Sequence, residues 1–445
     1  MFPLGTTSAS DRKIIIPYMR TYCLTFIVAV NLSTITGVHA QTLNPNPSRV
    51  IGQRGLDVNS LAPNLVEGLS LNSPASVAID TTSTPPILYV SDSGNNRVLA
   101  WKDATQFSNG APADKVIGQK DFSTTFAQGP GRGSFSTGFT GPAGLAVDSA
   151  GNLYVVDSGN NRILRFPKPF SQSDQILPDL VIGQSDFSTR GTNQGGISAR
   201  SVALNNDTST PDCQSGNCYN ASLAFDKAGN LYFTDPLNNR ILRYPVSALG
   251  SKAANGPAAD LVLGQTDFTS ANYTDDPVDV HNLRTPAGIA LDAGGRLYVS
   301  DSLNRVVVYL APFQNGKVIA RFLGIAVQLP DQPPPPLYSE SRFNGPEGLA
   351  MIGDTLAVAD VGNNRILRFP TYDTWSSNVY TQGAQWVVGQ IDFTSHLPNR
   401  GQPQAAQNTL SSPLSAVFFN NELFVADAAN NRVLVFPQQP GGRFG

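Results

Sequence analysis

The stretch VVDSGNNRILRFP, residues 155–167, reads as a short strand, a tight turn and a second strand. Its valines and isoleucine favour extended backbone, and Gly159, Asn160 and Asn161 tolerate the positive φ that a tight turn needs. Near-copies end at Arg97, Arg162, Arg240, Arg305, Arg365 and Arg432, spaced by 65, 78, 65, 60 and 67 residues. A recurring period of this kind marks one fold built from stacked units.

Each unit carries four segments of strand character. In the second they are GLAVD (144–148), NLYVVD (152–157), RILRFP (162–167) and DLVIGQ (179–184). Four antiparallel strands form a sheet too small to cover both of its apolar faces, so each must be sandwiched between neighbours. The order of the segments then decides the architecture. The fourth-strand motif occurs once before any first strand, as VIGQ at 50–53, and the chain ends after a third strand, RVLVF at 432–436. The opening VIGQ is therefore expected to complete the last sheet, which closes a ring and removes an open sheet edge. The predicted fold is all-β: a closed six-bladed β-propeller over residues 48–437.

Composition agrees with a β-rich, turn-rich chain, with 40 glycines, 33 prolines and only 14% charged residues among 445. Ahead of the propeller, Arg12, Lys13 and Arg20 precede the short apolar run CLTFIVAV (23–30), and VHA follows at 38–40. This pattern predicts a secretory signal peptide over 1–40, cleaved after Ala40, then a linker over 41–47; residues 438–445 read as a tail. The run is too short to span a membrane, and the predicted location is secreted or periplasmic. Without residues 1–40, which hold Arg12, Lys13, Arg20 and Asp11, the formal charge moves from −3 to −5. That acidic balance argues against nucleic acid as a partner. Nothing in the pattern suggests an oligomerisation helix, so a monomer is expected. Cys213 and Cys218, the two cysteines beyond the leader, are expected to form a local disulfide.

The pattern P-x-G-Φ-A-Φ-D, G-N-L-Y-V-x-D, S-x-N-N-R-Φ-L-x-F, with Φ apolar, resembles the NHL repeat, and the appended V-Φ-G-Q-x-D-F resembles its secreted bacterial versions. The resemblance implies a six-bladed propeller and does not specify an activity. Departures occur in the fourth unit, whose turn Asp301–Arg305 is one residue short and whose FLG (322–324) lacks the following Gln and Asp-Phe.

Residues repeated once per blade are expected to build blades. This assigns a structural role to the pairs Asp92/Arg97, Asp157/Arg162, Asp235/Arg240, Asp301/Arg305, Asp360/Arg365 and Asp427/Arg432. The same logic covers Gln53, Gln119, Gln184, Gln265 and Gln390, and it makes Phe122, Phe187, Phe268 and Phe393 plugs between blades.

Function is then sought where the units disagree. The connections from a fourth strand to the next first strand share a face with the repeated turns and differ widely: FAQGPGRGSFSTGF (126–139), the cysteine pair, NYTDDPVDVHNLR (272–284) and PDQPPPP (330–336). Loops on a rigid scaffold are where binding residues concentrate. The residue before the first-strand Gly or Ser is Ala75, Ala143, Ala221, Ala287, Glu347 and Leu414, which places one carboxylate at the channel mouth. Arg342, His281 and Arg284 lie upstream and are expected to converge on Glu347 as a ligand-binding cluster.

The expected function is non-catalytic binding of a protein, peptide or glycan through the loop face, with no cofactor. The alternative is a calcium- or other metal-dependent lyase or lactonase-like hydrolase at the channel mouth, as some related propellers are. Zinc is disfavoured because only His281 and His396 lie beyond the leader, whereas calcium needs oxygen ligands, which abound on the loop face.

Overall fold

The computed structural model describes residues 46–59, 66–128, 138–173, 175–206, 213, 218–325 and 336–438. The expected leader (1–40), residues 41–45 of the linker and residues 439–445 of the tail lie outside the described residues.

Six four-stranded antiparallel sheets make up the described chain. Blade 2 is typical, with strands Pro142–Val147, Leu153–Asp157, Arg162–Phe166 and Leu180–Ile182 in spatial order. The sixth sheet takes three strands from the end of the chain and its fourth from the start: Arg49–Ile51 pairs antiparallel with Arg432–Pro437, in the register Arg49↔Val435, Val50↔Leu434, Ile51↔Val433. The predicted closure is thus present, and Val50 and Ile51 are buried by it.

No sheet has a core of its own. Six apolar clusters each span two adjacent blades, including one that joins Ile51, Phe424 and Val435 of blade 6 to Val77, Leu88 and Leu99 of blade 1. The expected aromatic plugs sit at these seams. Phe187 packs between blades 1 and 2, Phe268 between 2 and 3, Phe393 between 4 and 5, and Phe122 between 6 and 1. Leu56 packs at the seam of blades 5 and 6, and Val278 and Val280 at the seam of blades 3 and 4.

The repeated turn is a buried hydrogen-bond lattice. In blade 2, Asp157 accepts from Arg162 Nε at 2.8 Å, from Asn160 Nδ2 at 2.9 Å and from the backbone N–H of Thr140 at 2.7 Å. Burial disfavours its charge, and these donors favour it. Arg162 spends its remaining donors on the carbonyls of Phe187 and Gly138, which anchor the segments on either side of the blade. Asn161, in the left-handed region at φ 50°, accepts the N–H groups of Leu204 and Asn205 from the next blade. Gln184 then caps the Asn161 carbonyl at 2.7 Å. At the seam of the ring Asn431 does the same for Ser73, so the lattice runs through the closure.

Blade 4 shows how the lattice tolerates a departure. Its short turn still pairs Arg305 with Asp301, and Arg305 Nη1 takes the carbonyls of Pro277 and Asp279, which lie ahead of the blade, where blades 1, 2, 3 and 5 offer the Phe carbonyl and blade 6 that of Leu56.

Candidate functional site

First strands line the hub of the ring. In blades 1, 2, 5 and 6 each carries a bulge next to its opening proline; in blade 5 the pairing steps from Pro346↔Asp360 to Leu349↔Val358, which leaves one extra residue on the first strand. A bulge releases a residue from the ladder and re-aims its side chain. The released segment in blade 5 contains Glu347.

Tight approach of the blades holds this position. A Cβ on Gly288 would lie 1.9 Å from the Glu347 carbonyl oxygen, and one on Gly348 would lie 2.5 Å from that of Leu414. Ser300 Oγ from blade 4 also donates to the Glu347 carbonyl at 2.6 Å. Equivalent hydroxyl bonds join Ser91 to the Ala143 carbonyl and Thr234 to that of Ala287.

The resulting throat is a cavity of about 20 Å³ lined by Ala75, Ala143, Ala221, Ala287, Glu347 and Leu414, the six positions where the sequence placed the channel mouth, together with Asn220 and small neighbours. Glu347 Oε2 accepts from Asn220 Nδ2 at 2.7 Å, across an intervening blade. Burial pushes the Glu347 carboxyl above the ordinary carboxylate range, and the Asn220 amide offsets part of that rise.

Asn220 was missed by the sequence reading, although a signal existed. The residue preceding the hub position is Pro74, Pro142, Pro286, Pro346 and Pro413 in five blades and Asn220 in the third. The two polar departures from the hub pattern are therefore bonded to each other. The Cys213–Cys218 disulfide is formed, and it ends just before this asparagine. Between them, Tyr219 is held by its N–H to Leu204 O at 2.9 Å and by Ser158 Oγ to its carbonyl at 3.0 Å.

Of the four residues expected to gather at the mouth, only Glu347 lines the throat. Arg284 is turned to its own connection, pairing with Asp275 and lying 5.5 Å over the Tyr273 ring. His281 is exposed beside Asp279, with Nδ1 3.6 Å from Oδ1. The Arg342 carbonyl receives Arg365 Nη2 at 3.0 Å as part of the lattice. These three sit several residues ahead of a first strand, where the path of the connection, not the repeat, sets their direction.

The donor set at the throat does not fit a calcium ion, which takes six to eight oxygens. It offers one carboxylate and one carboxamide, and the neighbouring carbonyls of Ala143, Ala287 and Glu347 already accept hydroxyl donors. Among the described residues no group of three or more His, Cys, Asp or Glu is placed to hold a metal.

The architecture defines a six-bladed β-propeller. Within it, residues 139–166, which hold the first three strands of blade 2, match the NHL repeat model, and this match together with the six blades supports an NHL-repeat β-propeller. Human NHL repeat-containing protein 2 is 28% identical over 120 residues, and its Bos taurus counterpart is 27% identical over 120. The match covers 26% of this chain and 14% of the length of those relatives. Similar solved structures include a streptogramin B lyase (13% identity, TM-score 0.42, covering 86% of this chain and 97% of that one). A gluconolactonase from Xanthomonas campestris gives 14%, 0.42, 88% and 98%, and a Bacteroides thetaiotaomicron protein of unknown function gives 13%, 0.49, 88% and 75%.

Proposed function

We propose that this chain is an exported, non-catalytic binding propeller whose loop face recognises a protein, peptide or glycan. One observation carries the reading. The buried Arg of every blade directs its outer donors to backbone carbonyls of the connections, as Arg240 does to Ser198, Ser201 and Phe268, and Arg365 to Ser339, Arg342 and Phe393. An invariant framework thus fixes the bases of connections that differ in length and chemistry, which is how a rigid scaffold presents variable recognition segments. Export is supported by the Cys213–Cys218 disulfide, a bond that persists in oxidising compartments. No helix among the described residues is long and apolar enough to cross a membrane. The metal-dependent lyase or lactonase-like alternative gains no support from the oxygen set at Glu347.

The test is a peptide and glycan array probed with the purified chain and with an Arg284→Glu, Arg342→Glu double variant of unchanged circular dichroism. A ligand bound by the parent and lost in the variant supports the reading. Divalent-cation-dependent turnover of a lactone or ester, abolished by chelator, overturns it.

A further inference from the structure

Two cavities are stacked along the hub. The upper one is the throat, whose roughly 20 Å³ accommodates one water-sized group. Below it the same first strands continue into a wider funnel of about 270 Å³, where the partly exposed Phe225, Leu291, Met351 and Val417 share the wall with serines and strand backbone. The two share Ser76, Gly144, Ser222, Gly348 and Ser415, so one leads into the other.

Glu347 is the one ionisable side chain among the described residues lining either cavity. Its Oε2 takes a neutral amide donor, and no Lys, Arg or His among the described residues pairs with it. Ser415, in the wall common to both cavities, has a buried hydroxyl with no protein partner. A carboxylate desolvated without a counter-charge is costly, and elsewhere in this molecule every fully buried carboxylate of the repeat has its arginine.

The chemistry that would complete this site is narrow. An anion is repelled by Glu347. A guanidinium is a broad planar fork, ill-suited to a water-sized space. A primary ammonium is water-sized and carries three donors and no acceptor. It would meet the Glu347 carboxylate beside the Asn220 carboxamide, with Ser415 close by in the wall. The funnel beneath is mixed in character, and its partly exposed Phe225, Leu291, Met351, Val417 and Phe418 give an alkyl chain apolar contacts, with Met351 able to adjust to its shape.

We propose that the hub binds a linear primary alkylammonium ligand, with its charged head at Glu347 and its alkyl tail in the funnel below. This site is separate from the loop face, and a failure of the array experiment leaves it untouched.

The test is calorimetric titration of the purified chain with n-hexylammonium chloride, n-hexanol and sodium hexanoate, followed by the alkylammonium series from propyl to octyl. The expected result is one hexylammonium per chain, with hexanol and hexanoate weaker by about tenfold or more, as befits a charge-assisted contact. Affinity should rise by up to about fourfold per methylene until the funnel is filled. Glu347→Gln, with its fold checked by circular dichroism, should lose about tenfold or more of hexylammonium affinity. Equal binding of hexanol and hexylammonium, affinity independent of chain length, or undiminished binding by folded Glu347→Gln would each overturn the proposal. The comparison of head groups uses the unaltered chain, and it decides the matter even if the variant does not fold.

Discussion

Asp157 and Glu347 are both carboxylates taken into the interior of one ring, and their surroundings are opposite. Asp157 sits in the turn lattice with an arginine, an asparagine amide and a backbone N–H on its oxygens, and Arg162 in turn is engaged on both sides of the blade. Glu347 sits in the throat with one carboxamide. The first arrangement recurs in five blades, with a second backbone N–H replacing the asparagine in blade 4, and leaves little hydrogen-bonding capacity unused; the second occurs once and leaves an oxygen for something else. Saturation thus separates a carboxylate that builds the fold from one available to a ligand.

The difference can be broken at its strong end first. Asp157→Ala strands the fully buried Arg162 guanidinium, and it is expected to cost about 3–5 kcal/mol in denaturant unfolding, enough to abolish folding in a marginal chain. A cost under about 1 kcal/mol would show that water reaches the lattice and that its saturation carries no weight. Next in size is Asn161→Ala, which removes the acceptor of two backbone N–H groups across the seam of blades 2 and 3. It should cost about 1–3 kcal/mol, measured in the same way.

Glu347→Gln should act in the opposite direction. Because burial raises the Glu347 pKa above its unfolded value, the stability attached to its protonated form is complete below about pH 4.3 and is lost as pH rises through the folded value. The glutamine variant should therefore match the parent near pH 4 and melt at a higher temperature at pH 7. A lower Tm than the parent at pH 7 would mean that the carboxylate already has a partner.

The smallest effect belongs to carboxylates at the surface. Asp121 and Asp267 each accept hydroxyl and backbone donors from the two residues that begin the following turn, which holds both carboxyls down to about 2. Their contribution is present above about pH 3.9 and is lost as pH falls through the folded value. An Asp121→Asn, Asp267→Asn chain should melt slightly lower than the parent at pH 7 and converge on it near pH 2, so that its fall in Tm between about pH 4 and about pH 2 is slightly shallower.

What the sequence revealed follows the same division. Six copies of one turn, together with a stray VIGQ at the start, were enough to read the blades, the closure and the recurrence of the Asp/Arg pair in each blade, because each copy reports on one geometry. Glu347 stood out as a departure from that copy. Asn220 departs just as plainly, but only the closed ring brings blades 3 and 5, on either side of blade 4, to one narrow throat. The positions of Arg284, His281 and Arg342 were not legible, because connections that do not repeat give no second instance from which to infer a path. Leu56 stands at the motif's own aromatic position, three residues after Gln53, whereas the use of Val278 and Val280 at the seam of blades 3 and 4 was hidden, since these residues lie away from the motif's place in the chain.

The seam has a kinetic meaning too. Ser48 bonds to Val435 and Gln53 to Asn431, so contacts that lock the molecule join residues nearly four hundred positions apart. Closing so long a loop carries an entropic cost that local hairpins do not, and chains dominated by distant pairings fold slowly. Blades 1 to 5 can assemble as hairpins emerge, but the first strand must wait for the last, and until then the exposed edge of Arg49–Ile51 is a template for pairing with another chain. A nascent or truncated chain ending before Arg432 would present that edge permanently, making the final few residues of the last blade the molecule's own safeguard against aggregation.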